Sequence, residues 1–317
     1  MLNKSNPSKS NANASRSDIE TDLDAYLVSR TIRGLKTSWI EFSNSDTSKL
    51  EAPIVMFCHG FPDGPEAWSA QLEFFKEKFH IVAPYVRGCI HSEPASSVER
   101  YSEDSILLDH LEILQHVDPS GMRTVNVIGH DLGVVHALNL TRALGARMGK
   151  LIVINGTDTN MFSERVKNTA QMRKSWYMGL MQIPLLPELM VQYAPRSCSW
   201  IANEIGRLPQ HLRQQDSKLF AKKTLGPLNQ YRAFASLVLK PKKTKSVEKR
   251  IDRPVLILWG RDDGFLEPPT TAEWELVVAK PVIRILEGGH WVHREASDTV
   301  NPIILDFLLD SRTQPLA

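Results

Sequence analysis

One tight turn constrains the fold of this chain more than any other feature. Residues 124–128 form a short, mostly β-branched apolar run typical of a buried parallel strand. After Gly133, apolar residues recur at helical spacing. Gly129 and Gly133 flank the turn because a strand and a helix that pack so closely leave no room for side chains. The turn therefore presents its central residue, Asp131, at the N-terminus of the helix.

Asp131 has two interpretations on this motif alone. The backbone N–H groups and the dipole of a helix N-terminus favour negative charge, so the carboxylate stays ionised and available for nucleophilic attack. Aspartate is also a common helix N-cap, a role that involves no chemistry. Other residues must decide between a nucleophile and a cap.

Strand-like and helix-like segments alternate along most of the chain, which predicts an α/β fold. Strands joined by right-handed helical crossovers form a mostly parallel central sheet flanked by helices. The predicted strands are 28–33, 37–42, 53–58, 80–84, 124–128, 150–155, 254–259 and 282–286, and the predicted helices of the first half are 65–78 and 101–116.

The alternation stops between residues 157 and 247, which are rich in Met, Leu, Gln and Pro. We predict a helical cap (or lid) here, inserted after the sixth strand and lying over the carboxyl ends of the sheet, where open α/β sheets bind ligands. Segments 25–156 and 248–317 then form the core. The serine- and asparagine-rich segment 1–24 is predicted to be a flexible tail, with a targeting segment as the alternative.

Charge and cysteine content indicate which partners and which compartment to expect. The chain has 38 Lys and Arg against 36 Asp and Glu, a net charge of +2 with interspersed signs, so we expect no nucleic-acid partner. No aromatic residue interrupts the lysine-rich run at 240–250, which we interpret as a solvated hinge. Cys58, Cys89 and Cys198 have neither metal nor disulfide spacing, which favours the cytoplasm. No apolar run reaches the roughly 20 residues that span a bilayer.

Backbone donors for a developing oxyanion are predicted from two turns. His59-Gly60-Phe61-Pro62 directly follows the strand at 53–58, and its glycine-bearing turn directs the N–H of Phe61 toward Asp131. The residue after a nucleophile at this type of turn supplies a second N–H, here that of Leu132. Phe61 and Leu132 are therefore the predicted oxyanion hole.

An acid and a histidine follow two later strands. Asp263 comes shortly after Gly260, with Asp262 as the alternative acid, and His290 stands in Gly289-His290-Trp291. Nucleophile, acid and histidine in this chain order are typical of triads on open α/β sheets, in which the acid orients the histidine. His293 lies three residues beyond His290, but no third ligand accompanies the pair, so no metal is expected.

Together these motifs resemble the α/β-hydrolase superfamily over about residues 25–310. Because it has aspartate at this turn, the chain resembles, within this superfamily, the epoxide hydrolases and the haloalkane or haloacid dehalogenases. In epoxide hydrolases, two cap tyrosines hydrogen-bond to the epoxide oxygen, one five residues before Gln-x-Pro and one within Asn-x-Tyr-Arg. Tyr177 stands five residues before Gln182-Ile183-Pro184, and Tyr231 lies in Asn229-Gln230-Tyr231-Arg232. The chain therefore resembles an epoxide hydrolase.

The resemblance implies a mechanism through a covalent ester. Asp131 attacks an epoxide carbon while Tyr177 and Tyr231 bind the oxygen, and water activated by His290 then releases a vicinal diol. The implied partners are a lipophilic epoxide and water, without cofactor, and the sequence leaves the oligomeric state open. The side chains expected to contact substrate are His59, Pro62, Trp176 and Met181.

Two alternatives stand beside this reading. Many epoxide hydrolases and dehalogenases have tryptophan after the nucleophile, where this chain has Leu132. A dehalogenase uses that indole N–H to hold the halide, so only Trp176 is left as a halide donor for a dehalogenase that uses the same aspartate. The second alternative is a non-catalytic protein of this fold that binds a small molecule, because fold alone does not establish chemistry.

Overall fold

The computed structural model describes residues 23–43, 52–213, 220–221, 224–239 and 250–310. Within these ranges, eight strands form one sheet in the order β1-β2-β4-β3-β5-β6-β7-β8. The strands are β1 Leu27–Ile32, β2 Leu35–Phe42, β3 Ile54–Cys58, β4 His80–Pro84, β5 Val125–His130, β6 Met148–Ile154, β7 Val255–Gly260 and β8 Pro281–Leu286. β2 pairs antiparallel with both β1 and β4, whereas every later pair is parallel. The predicted mostly parallel sheet is confirmed.

Helices flank the sheet and fill the interval between β6 and β7. The α-helices are α1 Ser69–Phe75, α2 Glu103–Val117, α3 Leu132–Leu144, α4 Thr159–Arg165, α5 Thr169–Lys174, α6 Tyr177–Met181, α7 Leu186–Tyr193, α8 Pro195–Ile205, α9 Leu228–Leu239, α10 Thr271–Trp274, α11 Val292–Glu295 and α12 Ser297–Leu309. Short 3₁₀ helices occupy Leu23–Tyr26, Pro65–Trp68, Val98–Tyr101, Gly145–Arg147 and Gln210–Leu212.

The core lies on both faces of the sheet. β3, β4, β5 and β7 are buried at every position, as expected of central strands covered by helices on each side. Successive residues of a strand enter different layers: Met56 and Val127 join one apolar cluster, whereas Phe57 and Ile128 join the other. The continuous apolar runs of the sequence therefore serve two cores at once.

The boundaries differ from the sequence-based prediction in a few places. β5 runs two residues further than predicted, because Gly129 and His130 still pair with Val153 and Ile154 of β6. Leu23 and Asp24, assigned to the flexible tail, belong to a 3₁₀ turn in which Leu23 is only 5% exposed. Burial of this leucine against the core explains the difference. Residues 1–22 and 240–249, which carry the predicted tail and hinge, lie outside the described residues.

Between β6 and β7, the described residues form helices α4 to α9 and no strand. These helices approach the carboxyl ends of the parallel strands. The salt bridge of Arg165 in α4 with Glu273 in α10, 2.8 Å long, joins this segment to the core. The ends of β3, β5, β6 and β7 carry the side chains described next.

Candidate active site

The turn between β5 and α3 holds Asp131 in a backbone conformation that few residues adopt. Its φ is 53° and its ψ is −127°, a strained geometry for a residue with a side chain. A Cβ on Gly133 would lie 2.0 Å from the carbonyl oxygen of Cys58, so only glycine allows α3 to approach β3 this closely. Close packing therefore maintains the strained turn.

The carboxylate of Asp131 is not used as a helix cap. It accepts no capping hydrogen bond from α3, although Asp131 is the N-cap residue. Gly60 of the turn after β3 packs directly on it, because a Cβ there would lie 2.4 Å from the Asp131 Cβ. Of the two interpretations, the structure favours a carboxylate that is available to a substrate.

A histidine supported by a buried acid faces this carboxylate. His290 Nε2 lies 3.8 Å from Asp131 Oδ2, and His290 Nδ1 lies 2.9 Å from Asp263 Oδ2. The Asp263 side chain has no exposed surface. Its other carboxylate oxygen accepts hydrogen bonds from the backbone N–H groups of Phe265 and Leu266. Asp131, His290 and Asp263, the residues predicted as nucleophile, histidine and acid, thus lie next to one another.

Asp263, and not its neighbour Asp262, is the acid in this arrangement. The Asp262 side chain is 53% exposed and lies 3.4 Å from Arg207 Nη1 at the surface. The sequence had left both residues open, with Asp263 preferred for its distance from Gly260, and the structure brings Asp263 to His290.

Asn155, at the end of β6, is a positioning residue that the sequence analysis missed. Its side-chain Nδ2 donates to Asp263 Oδ2 at 2.7 Å, and its Oδ1 accepts from the Gly260 N–H at 2.9 Å. Asn155 therefore joins β6 to β7 and fixes the orientation of the acid. Asn155-Gly156 after a strand has the signature of an ordinary turn, so the sequence carries no signal of this role.

Electrostatics set the histidine apart from its neighbours. Burial alone would lower the pKa of His290, but the carboxylates of Asp263 and Asp131 outweigh burial and raise it above its ordinary value. His130 and His293 pack nearby, and burial lowers the pKa of His130 to about 4 and that of His293 well below its ordinary value. Of these three imidazoles, only His290 has a raised pKa, so the resting site favours its protonated form.

Two cap tyrosines complete the polar groups of the site. Tyr177 begins α6 and Tyr231 lies in α9, and their ring centroids are 6.2 Å apart. Burial raises the pKa of both phenols, so both hydroxyls keep their protons. The Tyr231 ring centroid lies 5.2 Å from that of Phe61, which places α9 against the turn after β3.

The position of Tyr231 is fixed by its two neighbours in α9. The side-chain amide of Gln230 hydrogen-bonds to Nε2 of His136 in α3, with the two nitrogens 2.5 Å apart, and Arg232 pairs with both oxygens of Glu188 in α7. His136 lies within α3. It is buried, and through Gln230 it joins the helix of Asp131 to the helix of Tyr231.

A cavity of about 160 Å³ lies between Asp131 and the cap helices. Most of its lining is apolar, which suits a lipophilic ligand. Of the residues assigned from the sequence, those that line it are Asp131, His290, Tyr177, Tyr231, Phe61, Leu132, Pro62, Trp176 and Met181. Leu132 is also the first residue of α3, so its N–H has no partner in a preceding helical turn.

His59 does not reach the cavity, contrary to its predicted contact with substrate. The side chain is buried, with Nδ1 2.8 Å from the Gly60 carbonyl oxygen and Nε2 accepting from the Val86 N–H at 3.2 Å. These bonds tie the turn after β3 to the loop after β4. His59 therefore holds the backbone of the turn that carries Phe61 and does not contact the cavity.

His290 and His293, three residues apart in the sequence, have different surroundings. Among the described residues, no three His, Cys, Asp or Glu side chains are grouped as metal ligands. His293 instead packs on Trp68, with ring centroids 4.5 Å apart.

Comparison with known proteins identifies the family. A family model described as alpha/beta hydrolase fold matches residues 53–297. This chain belongs to the α/β-hydrolase family. In an alignment of 290 positions that covers 86% of this chain, this α/β hydrolase is 29% identical to epoxide hydrolase 4 of Mus musculus and covers 78% of that protein. It is also 27% identical over 288 residues to epoxide hydrolase 3 of Xenopus tropicalis, covering 86% of this chain and 76% of that protein.

Solved structures share the fold of this α/β hydrolase at lower identity. The epoxide hydrolase of Bacillus megaterium in complex with an inhibitor superposes with a TM-score of 0.72 at 23% identity, covering 89% of this chain and 99% of that one. An epoxide hydrolase from metagenomes of hot environments gives the same TM-score at 22% identity, covering 90% and 98%. These similarities establish the fold.

Within the described ranges, no helix has the length and apolar character needed to cross a bilayer.

Proposed function

We propose that this α/β hydrolase converts lipophilic epoxides into vicinal diols through a covalent ester on Asp131. One observation carries the proposal: a carboxylate nucleophile, a histidine paired with a buried acid, and two protonated phenols all line or adjoin one apolar cavity of about 160 Å³. The relatives named epoxide hydrolases support the same activity.

The first step is ring opening. An Asp131 oxygen attacks a ring carbon, and the carbon–oxygen bond breaks as the strained ring opens. Tyr177 and Tyr231 donate hydrogen bonds to the oxygen that becomes an alkoxide, and one of them transfers its proton to it. The product is a hydroxyalkyl ester of Asp131.

The second step is hydrolysis of that ester. The imidazolium of His290 first returns a proton to the phenolate formed in ring opening, and the neutral imidazole then takes a proton from a water molecule that attacks the carbonyl carbon of the ester, near the N–H groups of Phe61 and Leu132. The bond between that carbon and the ester oxygen of the substrate breaks. The departing oxygen takes the second proton of the attacking water, so the diol leaves, Asp131 is again a carboxylate and His290 is again an imidazolium. Formation of the ester removes the negative charge of Asp131, one of the two charges that raise the pKa of His290. The pKa of His290 therefore falls after the first step, and the imidazole becomes a base when a base is needed.

The dehalogenase alternative has less support from the site. Leu132 offers no side-chain donor to a halide, and the Trp291 indole N–H is already bonded to Asp63 Oδ2 at 2.7 Å. Trp176 lines the cavity but is 59% exposed, so water competes for its indole N–H. No halide site comparable to the tyrosine pair supports this alternative among the described residues.

The direct test supplies styrene oxide and short aliphatic epoxides to the purified protein and measures diol. Diol formation from at least one of them is the expected result. Binding of the epoxides without diol would favour the non-catalytic alternative, and faster halide release from chloro- or bromoalkanes would favour a dehalogenase.

Removing a tyrosine hydroxyl is expected to slow ring opening. Tyr177→Phe and Tyr231→Phe each lose one donor to the developing alkoxide, so each should lower kcat/KM for styrene oxide about 10²-fold. The double variant should lose more than either single variant. Tyr193→Phe is the matched control, because this cap tyrosine is 76% exposed and should leave the rate unchanged. Two single variants with unaltered kcat/KM would rule out the proposed role of the pair.

The acid assignment is tested by two adjacent substitutions. Asp263→Asn should lower kcat about 10⁴-fold, because an amide neither stabilises the imidazolium nor holds the correct tautomer of His290. Asp262→Asn alters an exposed side chain and should change kcat by less than about twofold. Steady-state diol formation by both variants is the measurement. A larger loss in Asp262→Asn would reverse the assignment.

A further inference from the structure

Exposed large apolar side chains are concentrated on one part of the cap. Of the fifteen such residues among those described, eight fall between positions 172 and 201, and the other seven are scattered over the core. Scattered exposed apolar residues are normal, whereas a cluster marks an interaction surface. We call this cluster the cap patch; its members are Met172, Trp176, Ile183, Leu185, Leu189, Tyr193, Trp200 and Ile201.

The cap patch continues into the cavity. Trp176 and Ile201 belong to the patch and also line the cavity above Asp131. Leu189 and Tyr193 are four residues apart and lie on one exposed face of α7. This helix contacts both α6, which follows Trp176, and α8, which carries Ile201.

The cap is also strongly basic, although the chain as a whole is nearly neutral. Residues 157–247 contain fifteen Lys and Arg against five Asp and Glu in the sequence, and eight and four of these lie among the described residues. Arg173 and Arg196 are exposed beside the patch and form no salt bridge with the described residues. Arg196 lies one helical turn from Trp200, so a cation and an indole share one face of α8.

We propose that the cap patch docks on the surface of an anionic lipid bilayer. Tryptophan and tyrosine favour the headgroup region, and neighbouring arginines gain energy from anionic lipids. A second copy of this chain fits the patch poorly, because two basic caps repel each other. Docking would let a lipophilic molecule pass from the bilayer into the cavity without crossing water. The docking is independent of the chemistry proposed for the site.

The test is sedimentation of the whole protein with phosphatidylcholine vesicles that contain or lack phosphatidylglycerol. We expect binding only to the anionic vesicles, weakened by salt. A triple variant, Leu189→Ser with Tyr193→Ser and Trp200→Ser, should lower the partition coefficient at least about tenfold. The matched control replaces exposed core residues, Met122, Leu276 and Leu309, with serine and should bind like the parent. None of these six residues lines the cavity, so hydrolysis of a water-soluble epoxide should persist in both variants.

A second pair of variants tests the charges. Arg173→Gln with Arg196→Gln should lower the partition coefficient about tenfold or more, whereas Arg284→Gln on the exposed face of β8 should not. The proposal is overturned if anionic vesicles do not bind the protein, or if the triple serine variant binds as well as the parent. A dimer in solution that this variant dissociates would identify a second copy as the occupant and would also overturn it.

Discussion

Asp131→Ala is expected to lower kcat for epoxide hydrolysis by about 10⁵-fold or more, to the level of the uncatalysed reaction. The proposed reaction needs a covalent bond from this carboxylate to carbon, and no nearby group replaces it. His290 lies 3.8 Å from the Asp131 carboxylate, but its proposed role is to activate water against an ester that this variant cannot form. Steady-state diol formation from styrene oxide is the measurement.

Isotope labelling of the parent protein shows whether Asp131 attacks the epoxide itself or only activates a water molecule that does so. In a single turnover in water labelled with heavy oxygen, the parent protein should release unlabelled diol, because the oxygen comes from Asp131 and the label enters the aspartate. Label found directly in the diol would show that water attacks the ring and would contradict the ester mechanism. Thermal unfolding of Asp131→Ala serves as the control for folding, and the variant should unfold close to the temperature of the parent, because alanine keeps a Cβ in the same backbone conformation.

The fold was predictable because the sheet imposes simple rules. A strand buried on both faces must be apolar throughout, and glycine must stand where a helix crosses it closely, as Gly133 does over Cys58. Both signals are local in sequence. Local sequence patterns were also enough to predict the positions of Asp131, Asp263 and His290, since each follows a strand at the carboxyl edge of a parallel sheet.

Supporting residues were less predictable, because their roles depend on which side chains meet across the chain. Asn155 acts on an aspartate 108 residues away, and Gln230 meets a histidine 94 residues away. Asparagine after a strand and glutamine on a helix have many ordinary uses, so neither residue type signals its partner. The prediction that His59 contacts substrate is wrong although its motif lies at the site, because both ring nitrogens hydrogen-bond to the backbone.

His290→Gln should separate the two steps of the reaction. Ring opening by Asp131 does not need a base, but hydrolysis of the ester does, so the variant should form the ester and stop. We expect multiple turnover to fall by about 10⁵-fold or more, and the protein mass to rise by the mass of one epoxide. Intact-protein mass spectrometry after incubation with styrene oxide detects the adduct, and peptide mapping should place it on Asp131.

The double variant Asp131→Ala with His290→Gln is the matched control for this trapping. It keeps the apolar cavity and both tyrosines but has no carboxylate to alkylate, so its mass should not change. An adduct on the double variant would mean that another side chain reacts with the epoxide. A His290→Gln protein that turns over without an adduct would show that this imidazole is not the base. The pairing of His290 with the buried Asp263 would then have no role in the proposed mechanism. The ester should accumulate in His290→Gln because, once Asp131 is esterified, hydrolysis needs a neutral imidazole that takes a proton from water. Glutamine cannot take that proton.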